Sequence, residues 1–127
     1  MNYTDIDLRG KTILIVEDCE WSFMLLKEIL ENTGINILHA DNGRDALNLC
    51  TSNNDINLVL MDIKIPEMDG LEATKRIKAI RKELPVIIQT AVAFADIKSM
   101  SKYAGCDGFI EKPVCIDKLF ELLTKWL

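Results

Sequence analysis

The chain has no long apolar run, one histidine, no CxxC pair and no surplus of positive charge. Each shortage excludes a class of protein. The longest apolar stretches, such as Ile13–Val16 and Leu58–Met61, fall far short of the roughly 20 residues that cross a bilayer, so no membrane contact is expected. The first eleven residues carry Asp5, Asp7, Arg9 and Lys11 and no apolar core, which is not the pattern of a secretory signal. Fifteen basic residues against twenty acidic ones leave a net charge of −5, a poor basis for holding a nucleic-acid backbone. The four cysteines (Cys19, Cys50, Cys106, Cys115) show no CxxC spacing, and His39 stands alone, so a four-ligand structural zinc site is not supplied. A chain of 127 residues can build its own core without a disulfide framework. The cysteines are therefore expected to be reduced and mostly buried, in a cytoplasmic protein. No repeat, low-complexity tract or internal linker is present, and there is length for one core only. With 49% apolar and 28% charged residues, the composition is that of an ordinary folded domain.

Five short runs rich in Ile, Val and Leu punctuate the sequence: Thr12–Val16, Ile35–Ala40, Leu58–Met61, Pro85–Thr90 and Asp107–Ile110. They are apolar on consecutive positions, as strands covered on both faces are. Between them lie segments with helical spacing. Trp21, Leu25, Ile29 and Leu30 mark one helix face, which stops at Thr33-Gly34. Ala46, Leu47 and Cys50 mark a second helix; Leu71, Thr74, Ile77 and Ile80 a third; Ile97, Met100 and Ala104 a fourth. Ile116, Leu119, Phe120, Leu123 and Trp126 make the last. Strand and helix thus alternate five times. The pattern predicts an α/β fold, a doubly wound parallel five-stranded (βα)5 sheet of flavodoxin-like type, with helices on both faces. Residues 1–10 read as a lead-in and 11–127 as the domain.

Ligands of such sheets bind beyond the carboxyl ends of the strands. Strand one ends in Glu17-Asp18, strand three in Asp62, strand four in Thr90-Ala91 and strand five in Glu111-Lys112-Pro113. Three carboxylates brought to one rim repel one another, and a bound divalent cation is the natural compensation. Mg²⁺ is hard, oxygen-seeking, and commonly held by one or two carboxylates, waters and a phosphate oxygen. Phosphoryl transfer needs a metal, a cation and a positioned nucleophile, and a carboxylate can serve as that nucleophile. Asp62 on the central run is best placed to do so, with Glu17 and Asp18 holding the metal. Lys112 supplies a point charge and Thr90 a hydroxyl for the phosphoryl oxygens. Singly, each residue has an ordinary reading: Asp62 as a turn or cap aspartate, Glu17-Asp18 as helix-capping acids, Thr90 as a β-former, Lys112 as a solvated lysine. Their conjunction at strand ends is what carries the chemistry.

These residues also carry a resemblance. Ile13–Asp18, Met61–Gly70 with its Asp62-Ile63-Lys64-Ile65-Pro66 core, Thr90-Ala91, and Ala104–Pro113 resemble, in order and position, the receiver domain of two-component response regulators. The resemblance spans about residues 11–127. It implies that Asp62 accepts a phosphoryl group from a histidine kinase or phosphotransfer domain, and that Glu17, Asp18, Asp62 and the main-chain carbonyl of Lys64 bind Mg²⁺. It further implies that Thr90, Ala91 and Lys112 contact the phosphate, that the Lys112–Pro113 bond is cis, and that Thr90 and Phe109 form a switch pair. Lys64 and Ala93 would set the lifetime of the phosphoryl group. Output would pass through the face made by the fourth helix, fifth strand and fifth helix, with contacts at Lys98, Lys102, Tyr103, Phe109 and Trp126. Such a domain assists its own phosphorylation and dephosphorylation and is otherwise no enzyme. The departures from the family pattern are Glu17 for the commoner Asp, Ile65 for Met, and Phe109 for Tyr; read on its own, Phe109 is equally a core aromatic.

Two rivals share parts of this pattern. A flavodoxin-like cofactor binder needs a phosphate cradle after strand one, where Glu17-Asp18-Cys19-Glu20 would repel a phosphate. An aspartyl phosphatase usually carries DxD there and a substrate cap, and neither is present. The carboxylates beside Cys19 are expected to raise its thiol pKa and keep it unreactive. His39 reads as a strand-end residue rather than a phosphoryl relay. The lead-in Asp7–Thr12 and the Glu17–Phe23 stretch resemble a receiver at the C-terminus of a hybrid sensor histidine kinase, with a stand-alone regulator as the alternative.

Overall fold

A computed structural model describes residues 6–91, 99, 100 and 102–127. Its elements are β1 (Thr12–Val16), α1 (Glu20–Leu30) with a 3-10 turn (Glu31–Thr33), β2 (Asn36–Ala40), α2 (Gly43–Ser52) and β3 (Leu58–Asp62). They continue with α3 (Gly70–Ile80), β4 (Val86–Thr90), helical residues 99, 100 and 102–104 (α4), β5 (Gly108–Glu111) and α5 (Ile116–Trp126). The strands form one parallel sheet in the order β2-β1-β3-β4-β5. The expected fold class is the observed one, and strand boundaries shift by no more than one residue.

Successive strand residues point to opposite faces, and the core divides accordingly. Leu14, Val16, Val59, Met61, Val86 and Ile88 pack with Ala46, Cys50, Ala73 and Ile77 of α2 and α3. Ile13, Ile15, Leu58, Leu60, Ile87 and Ile110 pack with Leu26 and Leu30 of α1 and Leu119, Phe120 and Leu123 of α5. Every residue of β1, β3 and β4 is buried, which is why those runs are apolar without alternation. Leu8 of the lead-in is buried too, its N–H donating to the Thr33 carbonyl at 2.7 Å.

Two details depart from expectation. In α1 the buried face is Leu26 and Leu30, whereas Trp21 and Leu25 are 78% and 53% exposed. The apolar residues of this helix occupy more than one face, so spacing alone could not identify the inner one. All four cysteines are free as expected, but only Cys50 is buried; Cys106 is half-buried, and Cys19 and Cys115 start helices at the surface. No helix among the described residues is long and apolar enough to cross a membrane.

From β1 the sheet grows to β2 on one side and to β3 on the other. This reversal opens a crevice beyond the carboxyl ends of β1 and β3. Its floor is closed by the β3–α3 loop, in which the Gly70 N–H donates to the Ile63 carbonyl at 2.9 Å. A Cβ on Gly70 would fall on the Asp62 carbonyl, so only glycine permits this approach.

Candidate functional site

The ladders deliver each site residue to the rim. Beyond Val16, the Glu17 N–H donates to the Ala40 carbonyl at 3.0 Å, extending the β1–β2 pairing by one bond. Asp62 ends β3 in register with Gln89, and Thr90 ends β4 opposite Glu111. The Lys112 N–H donates to the Thr90 carbonyl at 3.0 Å, which sets Lys112 over the crevice.

Oxygens of Glu17, Asp18 and Asp62 lie within 4.8 Å of one another. Glu17 and Asp62 are buried and Asp18 is exposed. The Lys112 Nζ donates to Asp62 Oδ2 at 2.8 Å and stands 3.5 Å from Glu17 Oε2. Glu17 Oε1 accepts the Cys19 N–H at 3.2 Å. Burial pushes the Glu17 carboxyl up from its ordinary range, and the neighbouring Asp62 charge adds to this, against the Cys19 N–H and Lys112. Burial disfavours the Lys112 charge, but its hydrogen bond to Asp62 and the two facing carboxylates outweigh that and raise it. Three carboxylates against one ammonium leave a negative surplus in a half-dry crevice. That hard oxygen donor set suits Mg²⁺ better than a soft or imidazole-seeking metal.

Thr90 is buried at the end of β4, and Phe109 is half-buried beside Ile88. By strand alternation the two side chains share the sheet face covered by α2 and α3. The Lys112–Pro113 bond is cis. Lys64 and Ala91 are exposed at the rim. Ala93, Lys98 and Ile97 lie outside the described residues.

Three features escaped the sequence reading. The His39 ring N–H (Nε2) donates to the Glu17 carbonyl at 2.8 Å, and the ring stacks on Phe23 with centroids 3.7 Å apart and planes 7° from parallel. Gln89 is buried beside Asp62, and its Nε2 has no hydrogen-bond partner among the described residues. The Cys19 thiol is lowered, not raised: hydrogen bonds from the Ser22 hydroxyl and main chain outweigh the opposing Glu17 charge. The register of β2 against β1 would have found the first; nothing in the residue pattern signals the others. Along α1 the rim continues into an open groove of about 830 Å³ lined by Asp18, Trp21, Phe23, Met24, Lys27 and His39.

A doubly wound parallel sheet with an acidic crevice and a lysine at its carboxyl rim defines a class, the flavodoxin-like α/β domains. Within it, the chain belongs to the response regulator receiver domain family, whose pattern matches residues 13–124. It is 34% identical over 119 residues to the polar-differentiation response regulator DivK of Brucella anthropi, covering 92% of this chain and 96% of that one. Among solved structures it is similar to the receiver domain of sensor histidine kinase PA1611 of Pseudomonas aeruginosa, which has a magnesium ion coordinated in its active-site cleft. The TM-score is 0.83 with 27% identity, over 92% and 97% of the two chains. It is similar as well to the receiver domain of Saccharomyces cerevisiae Ssk1, solved in complex with the histidine phosphotransfer protein Ypd1. There the TM-score is 0.84 with 26% identity, over 93% and 89% of the chains. The protein is thus a receiver domain of two-component signalling, a family whose acidic pocket binds Mg²⁺ and whose members engage kinase or phosphotransfer partners.

Proposed function

We propose that Asp62 is the phosphoacceptor of this domain and that phosphorylation switches its α4–β5–α5 surface. The observation that carries the reading is the buried Asp62 carboxylate, paired with Lys112 at 2.8 Å and flanked by Glu17 and Asp18. A carboxylate oxygen of Asp62 attacks the phosphorus of a phosphohistidine. The new P–O bond forms as the P–N bond breaks, and the imidazole nitrogen leaves with its electron pair. Glu17, Asp18, Asp62 and the Lys64 carbonyl would hold Mg²⁺, which supplies neutralising charge for the transferred group. Lys112 shifts from the carboxylate to the phosphoryl oxygens, and the Thr90 hydroxyl and the rim at Ala91 receive the rest. Lys64 and Ala93 flank the path of the water that ends the signal. The donor, a histidine kinase or phosphotransfer domain, approaches over α1, where Trp21, Met24 and Leu25 are exposed next to the crevice.

Drawing Thr90 toward the phosphoryl group vacates space that Phe109, on the same sheet face, enters. Phenylalanine buries without an unpaired hydroxyl, so the unphosphorylated domain already samples this state. Partner contacts then form at Lys98, Lys102, Tyr103, Phe109 and Trp126.

The parent is read as a hybrid sensor kinase, on the lead-in and on the likeness to a sensor-kinase receiver. The match across 96% of DivK favours a second reading, a single-domain regulator; the reading frame upstream of Met1 separates the two.

Acetyl phosphate with Mg²⁺ should phosphorylate the wild-type domain and leave Asp62→Asn unlabelled. Full incorporation in that variant rejects the assignment.

A further inference from the structure

We infer that His39 is a positioning residue for the acidic crevice: its Nε2–H fixes the main chain of Glu17 and thereby aims Glu17 and Asp18 at the bound cation. This rests on the Mg²⁺ reading given above.

Glu17 and Asp18 lie past the last paired residue of β1, where the ladder holds the chain by a single further bond. Glu17 spends its N–H on the Ala40 carbonyl. Its own carbonyl would need a donor from further along β2, but β2 ends at Ala40 and the chain turns into α2 through the Asn42 cap. The side chain of His39 supplies that donor, at 2.8 Å. The ring is itself held, stacked on Phe23, whose N–H donates to the Cys19 carbonyl at 3.0 Å. The turn from Glu17 to Glu20 is thus tied to β2 by one main-chain bond and one bond from the His39 side chain, and to the Glu17 side chain by the Cys19 N–H. With its carbonyl engaged by His39, Glu17 presents only its carboxylate to the crevice. A residue without a donor at position 39 would leave that carbonyl to water and loosen the peptide joining the two acids.

Two substitutions separate the donor from the ring. His39→Phe keeps an aromatic ring over Phe23 and removes the N–H. His39→Gln keeps an N–H at similar reach and removes the ring. Mg²⁺ affinity is read by calorimetry and by intrinsic tryptophan fluorescence, to which Trp21 at the edge of the crevice contributes. His39→Phe is expected to weaken Mg²⁺ about three- to tenfold and, because the bond it removes is already made without the metal, to lower the metal-free melting temperature by a few degrees as well. His39→Gln is expected to bind within about twofold of wild type. Wild-type affinity in His39→Phe, or equal loss in both variants, overturns the inference. On the wild-type protein, NMR should show a ring Nε2 proton coupled across the hydrogen bond to the Glu17 carbonyl; its absence also overturns the inference. Asp18→Ala is the separate control. If that variant binds Mg²⁺ as tightly as wild type, the metal reading fails, whatever His39 does.

Discussion

Gln89 follows three apolar residues on β4, and its buried amide nitrogen lacks a partner among the described residues. An unmet buried donor costs on the order of 1–3 kcal/mol, so Gln89→Leu should raise unfolding stability by about 1 kcal/mol in a urea titration. The cysteines diverge in the same residue-by-residue way. Burial pushes the Cys50 thiol up to about 11, whereas the Ser22 hydrogen bonds lower Cys19 at the surface. Alkylation in the folded state should therefore mark Cys19 well before Cys50, as peptide mapping would show. Because the folded Cys50 pKa exceeds its unfolded value of 9.0, its stabilising contribution is whole below that pH. It is lost as pH rises through about 11, a change of about 2–3 kcal/mol. Cys50→Val should flatten that alkaline loss relative to wild type. The direction at Cys19 was illegible in the sequence because carboxylates are visible as neighbours along the chain, while the Ser22 bonds exist only once the helix turn forms.

The β3–α3 loop shows how an element is held open for chemistry. Glu67 and Met68 carry positive φ values of 54° and 90°, and Asp69 caps α3 by accepting the N–H groups of Leu71 and Glu72 at 2.9 and 3.0 Å. Asp69→Ala should cost about 1 kcal/mol by thermal melting, the usual worth of such a cap. Gly70→Ala should do more, displacing the loop from Asp62 and lowering Mg²⁺ affinity as well as stability. On the other side of α3, the Tyr103 hydroxyl donates to Glu72 Oε1 at 3.2 Å, and the Lys75 ammonium lies 4.8 Å from the Tyr103 ring centroid. These contacts tie α4 to α3, so Tyr103→Ala should speed hydrogen exchange in residues 102–104 and spare β1 and β3. Strands were legible because burial on both faces leaves no other residue choice, as in Leu58–Met61. The inner face of α1 was not, since Trp21 and Leu25 are apolar yet lie outside the domain's own core.

At the scale of the molecule, the rim brings together acids from distant strand ends, and it was legible for that reason: once the βα order is known, Glu17, Asp18, Asp62 and Lys112 must converge. What stayed hidden was the support beneath them, since His39 reaches the Glu17 main chain through strand register alone. A cation bound by the folded state alone stabilises it by mass action. Mg²⁺ at ten times its dissociation constant should therefore add about 1.4 kcal/mol, and Asp18→Ala should abolish the gain in a melting experiment. The sheet order has a kinetic consequence as well. Of the four strand pairings, β1 with β3 joins the most distant stretches of chain, Ile13 meeting Leu58, and it is the pairing that brings Glu17 alongside Asp62. Closing that loop has the largest entropic cost, so truncations such as Leu14→Ala or Val59→Ala should slow folding, while truncations in α5 should mainly hasten unfolding in stopped-flow chevrons. The acidic crevice exists only once this seam has zipped, so a partly folded domain in which β1 and β3 are still apart has no site at which a signal could be received.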